Sequence, residues 1–174
     1  TGFRVSINLS TKQLQSESLY HDVSSVLRRC HVDAADIEFE ITETAAMNDP
    51  DLAVQRLNDL RSLGVSLSID DFGTGYSSLA YLKRLPIDTL KLDKSFVRDI
   101  ETDQNDAEIC MASITLAHNL GMNVVAEGVE TEAQRNFLTR HQCDYLQGYL
   151  FSRPLPASDM SKYLEEKLLH LTTS

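Results

Sequence analysis

The stretch from Val65 to Tyr76, with the sequence VSLSIDDFGTGY, carries the strongest structural signal in the chain. Its first five residues alternate between apolar and small polar side chains, which is the pattern of a β-strand with one buried face. The strand closes on two adjacent carboxylates, Asp70 and Asp71, and a glycine-rich turn follows at once. Two neighbouring carboxylates repel each other, and a positive charge close to them favours the ionised form of both. The stretch therefore predicts a strand whose carboxyl end holds a cation, most simply a divalent metal ion.

Five further segments have the length and composition of strands, and helical periodicity fills the gaps between them. The six predicted strands are Phe3 to Leu9, Ile37 to Thr42, Val65 to Asp71, Thr89 to Asp93, Asn123 to Gly128 and Asp144 to Tyr149. Asp49-Pro50 is a helix start signal, and Ser10 and Thr131 each begin a capping box. Repeated βα units indicate a parallel sheet, either open or closed into a barrel.

The two faces of the predicted strands favour the barrel. Apolar and polar residues alternate from Ile37 to Thr42, and residues 5–9 and 90–93 alternate in the same way. An open doubly wound sheet carries helices on both faces, so its strands are apolar on both. We therefore predict an α/β fold of the TIM-like (β/α)8 type. About six strands are too few to close it, so the chain is expected to be an incomplete barrel and the later part of a larger domain.

Composition limits the partners and the metal. The 174 residues carry a formal charge of −10, which argues against duplex nucleic acid as a partner. Three widely spaced cysteines fit neither a disulfide framework nor a zinc site, and with no signal-peptide pattern they favour the cytoplasm. The five histidines never fall at paired ligand spacing, so oxygen ligands and Mg²⁺, Mn²⁺ or Ca²⁺ are expected.

Polar residues stand near the carboxyl ends of all six predicted strands: Asn8, Glu40, Asp70 with Asp71, Lys91, Glu127 and Gln147. In a parallel barrel these ends share one rim, so the side chains are expected to surround one pocket. Several carboxylates in one pocket can hold two metal ions, an arrangement that cleaves phosphate esters. A lysine among them can orient a nucleophilic water. Each acid taken alone could instead be a helix cap or a surface ion pair.

Several ordered motifs resemble those of the EAL domain family between about Phe3 and Pro156. They are SINLS at 6–10, EITE at 40–43, DDFGTGYSS at 70–78, LKLD at 90–93, VAEGVE at 125–130 and QGYLFSRPL at 147–155. The family hydrolyses the bacterial second messenger cyclic di-GMP to linear pGpG, and its fold is a modified TIM barrel. The resemblance implies that residues 1–174 are roughly the C-terminal two-thirds of a single EAL-type phosphodiesterase domain.

The resemblance also implies roles for individual residues. Asn8, Glu40 and Asp70 resemble the ligands of a first Mg²⁺ or Mn²⁺, and Asp71 resembles a ligand of the second ion, with Asp70 bridging. Lys91 resembles the lysine that contacts the nucleophilic water. Glu127 resembles a glutamate that is a metal ligand or general base. By the same resemblance, Ca²⁺ is expected to inhibit.

The remaining implied roles concern a loop and the substrate. Gln147 resembles the glutamine that completes the site, and together with Pro154 it is expected to contact the substrate. Glu43 resembles the anchor of the loop Asp71 to Ser78, which links metal binding to dimerisation in the family. Phe72, Gly73, Thr74 and Gly75 fall in that loop. The implied partners are cyclic di-GMP and a second copy of the chain.

One departure separates this sequence from the family pattern. The Glu-Ala-Leu signature lies on an earlier strand that this sequence lacks, and its glutamate is a metal ligand. The parent protein is therefore expected to be active, and this segment alone to be impaired. Sensory or diguanylate cyclase domains are expected upstream, in a protein that is cytoplasmic or the cytoplasmic part of a membrane-anchored one. The alternatives are a cyclic di-GMP receptor without catalysis and a dimerisation module.

Overall fold

The architecture is a single parallel sheet with helices packed on its outer side. The computed structural model describes residues 3–73 and 79–171, with side chains up to residue 165. Its six strands are β1 (Val5–Asn8), β2 (Ile37–Thr42), β3 (Ser66–Phe72), β4 (Thr89–Leu92), β5 (Asn123–Ala126) and β6 (Tyr145–Leu146). Each strand pairs in parallel with the next one along the chain, so the sheet order is β1 to β6 without a reversal. That order is the winding of a barrel, and it confirms the predicted six-stranded, TIM-like α/β fold.

Helices connect the strands. They are α1 (Thr11–Leu14), α2 (Leu19–Cys30), α3 (Glu43–Asn48), α4 (Pro50–Arg61), α5 (Leu79–Leu82), α6 (Lys94–Arg98), α7 (Gln104–Asn119), α8 (Glu132–Arg140) and α9 (Ala157–Leu171). The predicted start signals are confirmed. The Asp49 side chain accepts a hydrogen bond from Leu52 N at 3.2 Å, and the capping boxes at Ser10 and Thr131 both form.

The core lies between the outer face of the sheet and these helices. Leu67, Leu90 and Val124 on β3, β4 and β5 are fully buried, as are Leu57 and Leu60 on α4. Burying one such side chain stabilises the fold by about 1.5–3 kcal/mol. The apolar positions of the central strands thus fix which way the sheet faces, and the polar positions between them point to the inner side.

Strand β1 departs from the prediction. Its apolar residues were expected on a covered face, yet Val5 is 46% exposed and Ile7 is 43% exposed. The reason is that β1 is the edge strand, so its outer face is covered from one side only. A groove of about 450 Å³ lies there, lined by residues that include Ile7, Val26 and Cys30.

Several predicted strand ends were wrong. The last strand covers only Tyr145–Leu146, because Gln147 and Leu150 bond to the backbone of Val129 in the neighbouring loop. Strand β4 stops at Leu92 because Asp93 caps α6, and β5 stops at Ala126. The first strand begins at Val5 rather than Phe3. Phe72 was predicted in a loop, but it is the buried last residue of β3.

No helix within the part of the chain that the structure describes combines the length and the apolar character needed to span a bilayer.

Candidate active site

The inner side of the sheet gathers four of the predicted site residues around one ammonium group. Lys91 Nζ lies 2.7 Å from Glu127 Oε1, 2.8 Å from Glu40 Oε2 and 3.2 Å from Asp70 Oδ1. The three carboxylates come from β2, β3 and the residue after β5, and the lysine comes from β4. The Lys91 side chain is only 5% exposed. The parallel order of the strands therefore brings Glu40 and Glu127, which are 87 positions apart in the sequence (127 − 40), into one ion-pair network. We call Lys91 with its three carboxylate partners the Lys91 cluster.

Burial and charge act in opposite directions within the Lys91 cluster. Burial alone would lower the pKa of Lys91, but its hydrogen bonds to Glu127 and Glu40 outweigh burial and hold that pKa above its usual range. Burial raises the pKa of Glu127, Lys91 lowers it, and the charges of Asp70 and Glu40 raise it further. Three carboxylates face one ammonium, so the ionised cluster still lacks positive charge. Such a cluster is suited to a further cation.

A β-bulge explains how two adjacent aspartates serve one site. Ile69 pairs with Leu90 and Phe72 pairs with Leu92, so Asp70 and Asp71 together stand opposite Lys91 alone. Successive residues of a regular strand point to opposite faces, and a bulge re-aims one of them. Asp71 has a left-handed backbone with a φ of 54°, consistent with that irregularity. The second carboxylate is therefore not directed into the apolar outer layer.

Asp93 belongs to the same rim, and sequence reasoning missed it. Burial, Asp70 and Asp93 all raise the pKa of Asp71, and the side chains of Asp71 and Asp93 share a hydrogen bond. Asp93 also caps α6 by accepting from Ser95 N at 2.9 Å, and bonds from Ser95 and Lys94 bring its pKa below the usual value despite burial. Its place directly after β4 was the signal, because Glu127 and Gln147 likewise directly follow a strand, β5 and β6.

Glu43 holds the first residues after β3. It is 2% exposed, and its Oε2 accepts a hydrogen bond from Gly73 N at 2.9 Å. Its Oε1 is also buried and has no hydrogen-bond partner among the residues described. Gly73 has a φ of +98°, and a Cβ there would lie 2.8 Å from the Phe96 ring. The predicted loop residues Thr74 and Gly75 lie outside the described residues.

For the other predicted site residues, the structure gives a position in the fold rather than a side-chain contact with Lys91. Asn8 is the register partner of Glu40 on the neighbouring strand. Gln147 directly follows β6, and its carbonyl accepts from Val129 N at 3.0 Å, two residues beyond Glu127. Pro154 is exposed between β6 and α9. The structure places Asn8 on the strand beside Glu40 and Gln147 on a loop bonded to the one that carries Glu127. The roles of Asn8, Gln147 and Pro154 stay predictions.

The donor set fits a hard divalent cation. Its oxygens come from carboxylates, with an amide on the neighbouring strand, and these are the ligands that Mg²⁺ and Mn²⁺ prefer. Within the described residues, no three acidic, imidazole or thiol side chains form a ready-made metal cage. The carboxylates of Glu40, Asp70 and Glu127 already surround a cation, the ammonium of Lys91. Lys91 is thus a stand-in ion that shows where these side chains accept positive charge.

Gln134 fixes the loop that carries Glu127. It is 4% exposed, and its Oε1 accepts from Glu130 N at 2.7 Å and from Thr131 N at 3.0 Å. Its Nε2 donates to the carbonyl of Arg98 at 3.1 Å, at the end of α6. The side chain therefore ties the loop after β5 to the helix after β4.

We expect Gln134→Leu to lower the free energy of unfolding by about 1–3 kcal/mol, because two backbone N–H groups lose their acceptor. Thermal and urea denaturation of the full-length protein measure this change. Gln55→Leu is the matched control, since Gln55 is exposed on α4 and its change should be within about 0.5 kcal/mol. Equal effects of the two substitutions would show that Gln134 does not hold the loop.

Comparison with known proteins gives one family. The EAL domain model matches residues 1–154. The chain is 50% identical over 161 residues to the cyclic di-GMP phosphodiesterase NbdA of Pseudomonas aeruginosa, covering 92% of this chain and 21% of that protein. It is 45% identical to the bifunctional diguanylate cyclase/cyclic di-GMP phosphodiesterase MucR of the same organism, covering 91% of this chain and 23% of that protein. The chain thus spans about a fifth of the length of these relatives.

Solved structures agree with the sequence comparison. The MucR phosphodiesterase in complex with c-di-GMP superposes with a TM-score of 0.87 at 45% identity, over 90% of this chain and 64% of that one. The manganese and cyclic di-GMP complex of BlrP1 from Klebsiella pneumoniae gives a TM-score of 0.80 at 34% identity, over 87% of this chain and 39% of that one.

Proposed function

This chain belongs to the EAL domain family, and on that premise we propose that the full-length protein hydrolyses cyclic di-GMP to linear pGpG with the help of divalent metal ions. The observation that carries the proposal is the Lys91 cluster, in which carboxylates from separate strands converge on one cation at the carboxyl rim. NbdA and MucR are named as cyclic di-GMP phosphodiesterases, which supports the same substrate here.

The metal ions would be Mg²⁺ or Mn²⁺, held by Glu40, Asp70, Asp71 and Glu127, with Asn8 beside them. BlrP1, which was solved with manganese and cyclic di-GMP, supports a divalent metal ion as the cofactor. When bound, such ions neutralise a phosphodiester and make a water more acidic. This would allow a chain of charge −10 to bind an anionic dinucleotide.

The side chains would divide the remaining work. Glu127 is a candidate to accept the proton of the attacking water, because burial raises the pKa of its carboxyl above the usual value and makes the carboxylate more basic. Lys91 keeps its charge and would orient that water or offset negative charge on the phosphoryl oxygens. Water attacks phosphorus in line, the ribose 3′-oxygen leaves, and the product carries a 5′-phosphate. Gln147 would complete the rim on the side of β6.

A cyclic di-GMP receptor without catalysis is less well supported. A receptor has no need of a charged lysine and several carboxylates at one point, whereas a hydrolase does. Incubation of the full-length protein with cyclic di-GMP and Mg²⁺, followed by chromatography, separates the two functions. The enzyme produces pGpG, and a receptor retains the nucleotide intact.

We propose that the chain is part of one larger EAL barrel. Among the described residues, the sheet ends at β1 on one side and at β6 on the other, and an apolar groove of about 450 Å³ lies beside β1. The matching MucR phosphodiesterase chain is longer, since this chain covers 64% of it. A preceding strand and helix would pair with β1, fill the groove and bring the signature glutamate to the rim. Upstream domains, the homodimer and the cytoplasmic location remain predictions, and the bifunctional name of MucR supports the first.

Cysteine labelling tests whether the groove is covered. Burial raises the pKa of Cys110 to about 12 and that of Cys143 to about 11, so both should resist iodoacetamide at pH 8 in the native protein. Cys30 is exposed in the structure and lines the groove. In the full-length protein we expect Cys30 to be protected as well, because the preceding helix covers it. Peptide mass spectrometry before and after urea unfolding measures all three rates. Native labelling of Cys30 at its unfolded rate would contradict a covered groove.

A further inference from the structure

Lys91 occupies the centre of the carboxylates that are proposed to bind metal. An ammonium has three N–H donors, and each of the three carboxylates lies within 3.2 Å of Nζ. All of its donor capacity is therefore directed at Glu40, Asp70 and Glu127. With the side chain only 5% exposed, water does not compete strongly for these contacts.

The three carboxylates depend on that ammonium to stay together. Three carboxylates that all lie within 3.2 Å of one nitrogen are close enough to repel one another. Partial burial strengthens this repulsion. Two of the carboxylates, Glu40 and Asp70, belong to strands whose backbones are fixed by the sheet, so they cannot separate by moving apart as whole residues. Their side chains converge because a positive charge sits between them. Ordinary cores do not place a lysine and three acids at one buried point.

A divalent cation bound by the same oxygens would meet the positive charge of Lys91. The carboxylates would then have to divide their oxygens between two cations, and the two cations would repel each other. We propose that Lys91 is a built-in counter-ion, which holds the three carboxylates together before metal binds and then competes with the metal for their oxygens. This inference rests on the proposed metal-dependent function, and it adds a role for Lys91 that precedes any contact with substrate.

If Lys91 has this role, its removal should lower the stability of the metal-free protein and raise its affinity for metal. Removal of the ammonium leaves the carboxylates unbalanced, so the metal-free protein should become less stable. The same removal ends the competition, so metal should bind more tightly. A lysine that only orients water would change neither metal affinity nor the stability of the metal-free protein by much.

Metal binding without substrate tests this directly. The full-length protein is stripped with a chelator and titrated with Mn²⁺ by calorimetry, as wild type, Lys91→Met and the matched control Lys162→Met. Lys162 is exposed on α9, a helix that contributes no residue to the Lys91 cluster. Asp70→Asn, which removes a ligand oxygen charge, identifies the part of the binding curve that belongs to this site.

We expect the Mn²⁺ dissociation constant of Lys91→Met to fall at least about tenfold, because one positive charge has left the site. The melting temperature of the chelated variant should fall below that of the wild type, and Mn²⁺ should raise it by more than it raises the wild type. Lys162→Met should match the wild type in both measurements. If Lys91→Met does not fold without metal, Lys91→Gln keeps a hydrogen-bond donor without the charge and should show the same tighter binding.

Equal or weaker Mn²⁺ binding by Lys91→Met and Lys91→Gln would overturn the counter-ion role while leaving metal-dependent hydrolysis intact. If neither Asp70→Asn nor the Lys91 variants change Mn²⁺ binding, the metal binds elsewhere. That result would overturn both the counter-ion role and metal-dependent hydrolysis at this site. Tighter Mn²⁺ binding by the Lys91 variants, together with a wild-type protein that fails to cleave cyclic di-GMP, would support the counter-ion role and reject the proposed activity.

Discussion

Glu127→Gln is expected to slow cyclic di-GMP hydrolysis by the full-length protein by about 10²–10⁴-fold, because an amide cannot accept the proton of the attacking water. The change keeps the size of the side chain and its hydrogen bond to Lys91, which is 2.7 Å long in the structure. The loop around it is held by Gln134, so the fold should survive. The rate of pGpG formation at saturating Mg²⁺ measures the effect.

Glu132→Gln is the matched control for that substitution. Glu132 lies on the first turn of α8, its side chain is 61% exposed, and its partner is Arg135 on the same helix. Its removal should leave turnover within a factor of about two, since an exposed ion pair contributes little. Equal turnover by Glu127→Gln and the wild type would remove Glu127 from the reaction.

Gly148→Ala is expected to cause the largest loss of stability. A Cβ at Gly148 would lie 2.1 Å from the carbonyl oxygen of Val129 and 2.3 Å from its nitrogen. Both atoms are backbone, and they already bond to Leu150 N and Gln147 O, so they cannot step aside without breaking those bonds. We expect the free energy of unfolding to fall by about 3 kcal/mol or more. Gln147 and the Glu127 loop would shift together, so hydrolysis should fall as well.

Gly121→Ala separates this close approach from the general cost of replacing glycine. Gly121 has a φ of +77°, and no heavy atom lies within 4 Å of a Cβ built there. Only the cost of a left-handed backbone remains, about 1–2 kcal/mol. Urea denaturation of the two variants provides the comparison. A Gly148→Ala variant no less stable than Gly121→Ala would mean that the loops after β5 and β6 are not packed as described.

The order of the strands and the direction of the central ones could be predicted from the sequence. Apolar residues at every second position of β3 and β4 fix which side faces the helices, because the other side would set serine, lysine and aspartate against the apolar helix surface. Strand-end polar residues then had to share a rim. The resemblance to the EAL domain added the roles, and the family match agrees with it.

The alternation of apolar and polar residues could not predict features that depend on how neighbouring strands pair. The bulge at Asp70 and Asp71 changes the pairing between β3 and β4 without leaving a trace in the apolar pattern. Asp93 was predicted to be the last residue of a strand. Its role as the cap of α6 could not be predicted, because an aspartate that ends a strand and one that caps the next helix look the same in the sequence. The exposure of Val5 and Ile7 follows from the edge position of β1, which the residues of β1 do not encode.

The most direct test of hydrolysis at this rim is the mass of the product made by the full-length protein in ¹⁸O-labelled water. With cyclic di-GMP and Mg²⁺, we predict linear pGpG with a single ¹⁸O on its 5′-phosphate, and no product after the metal is chelated. Cyclic di-GMP that stays intact with Mg²⁺ present, or pGpG that carries no ¹⁸O, would contradict metal-dependent attack by water.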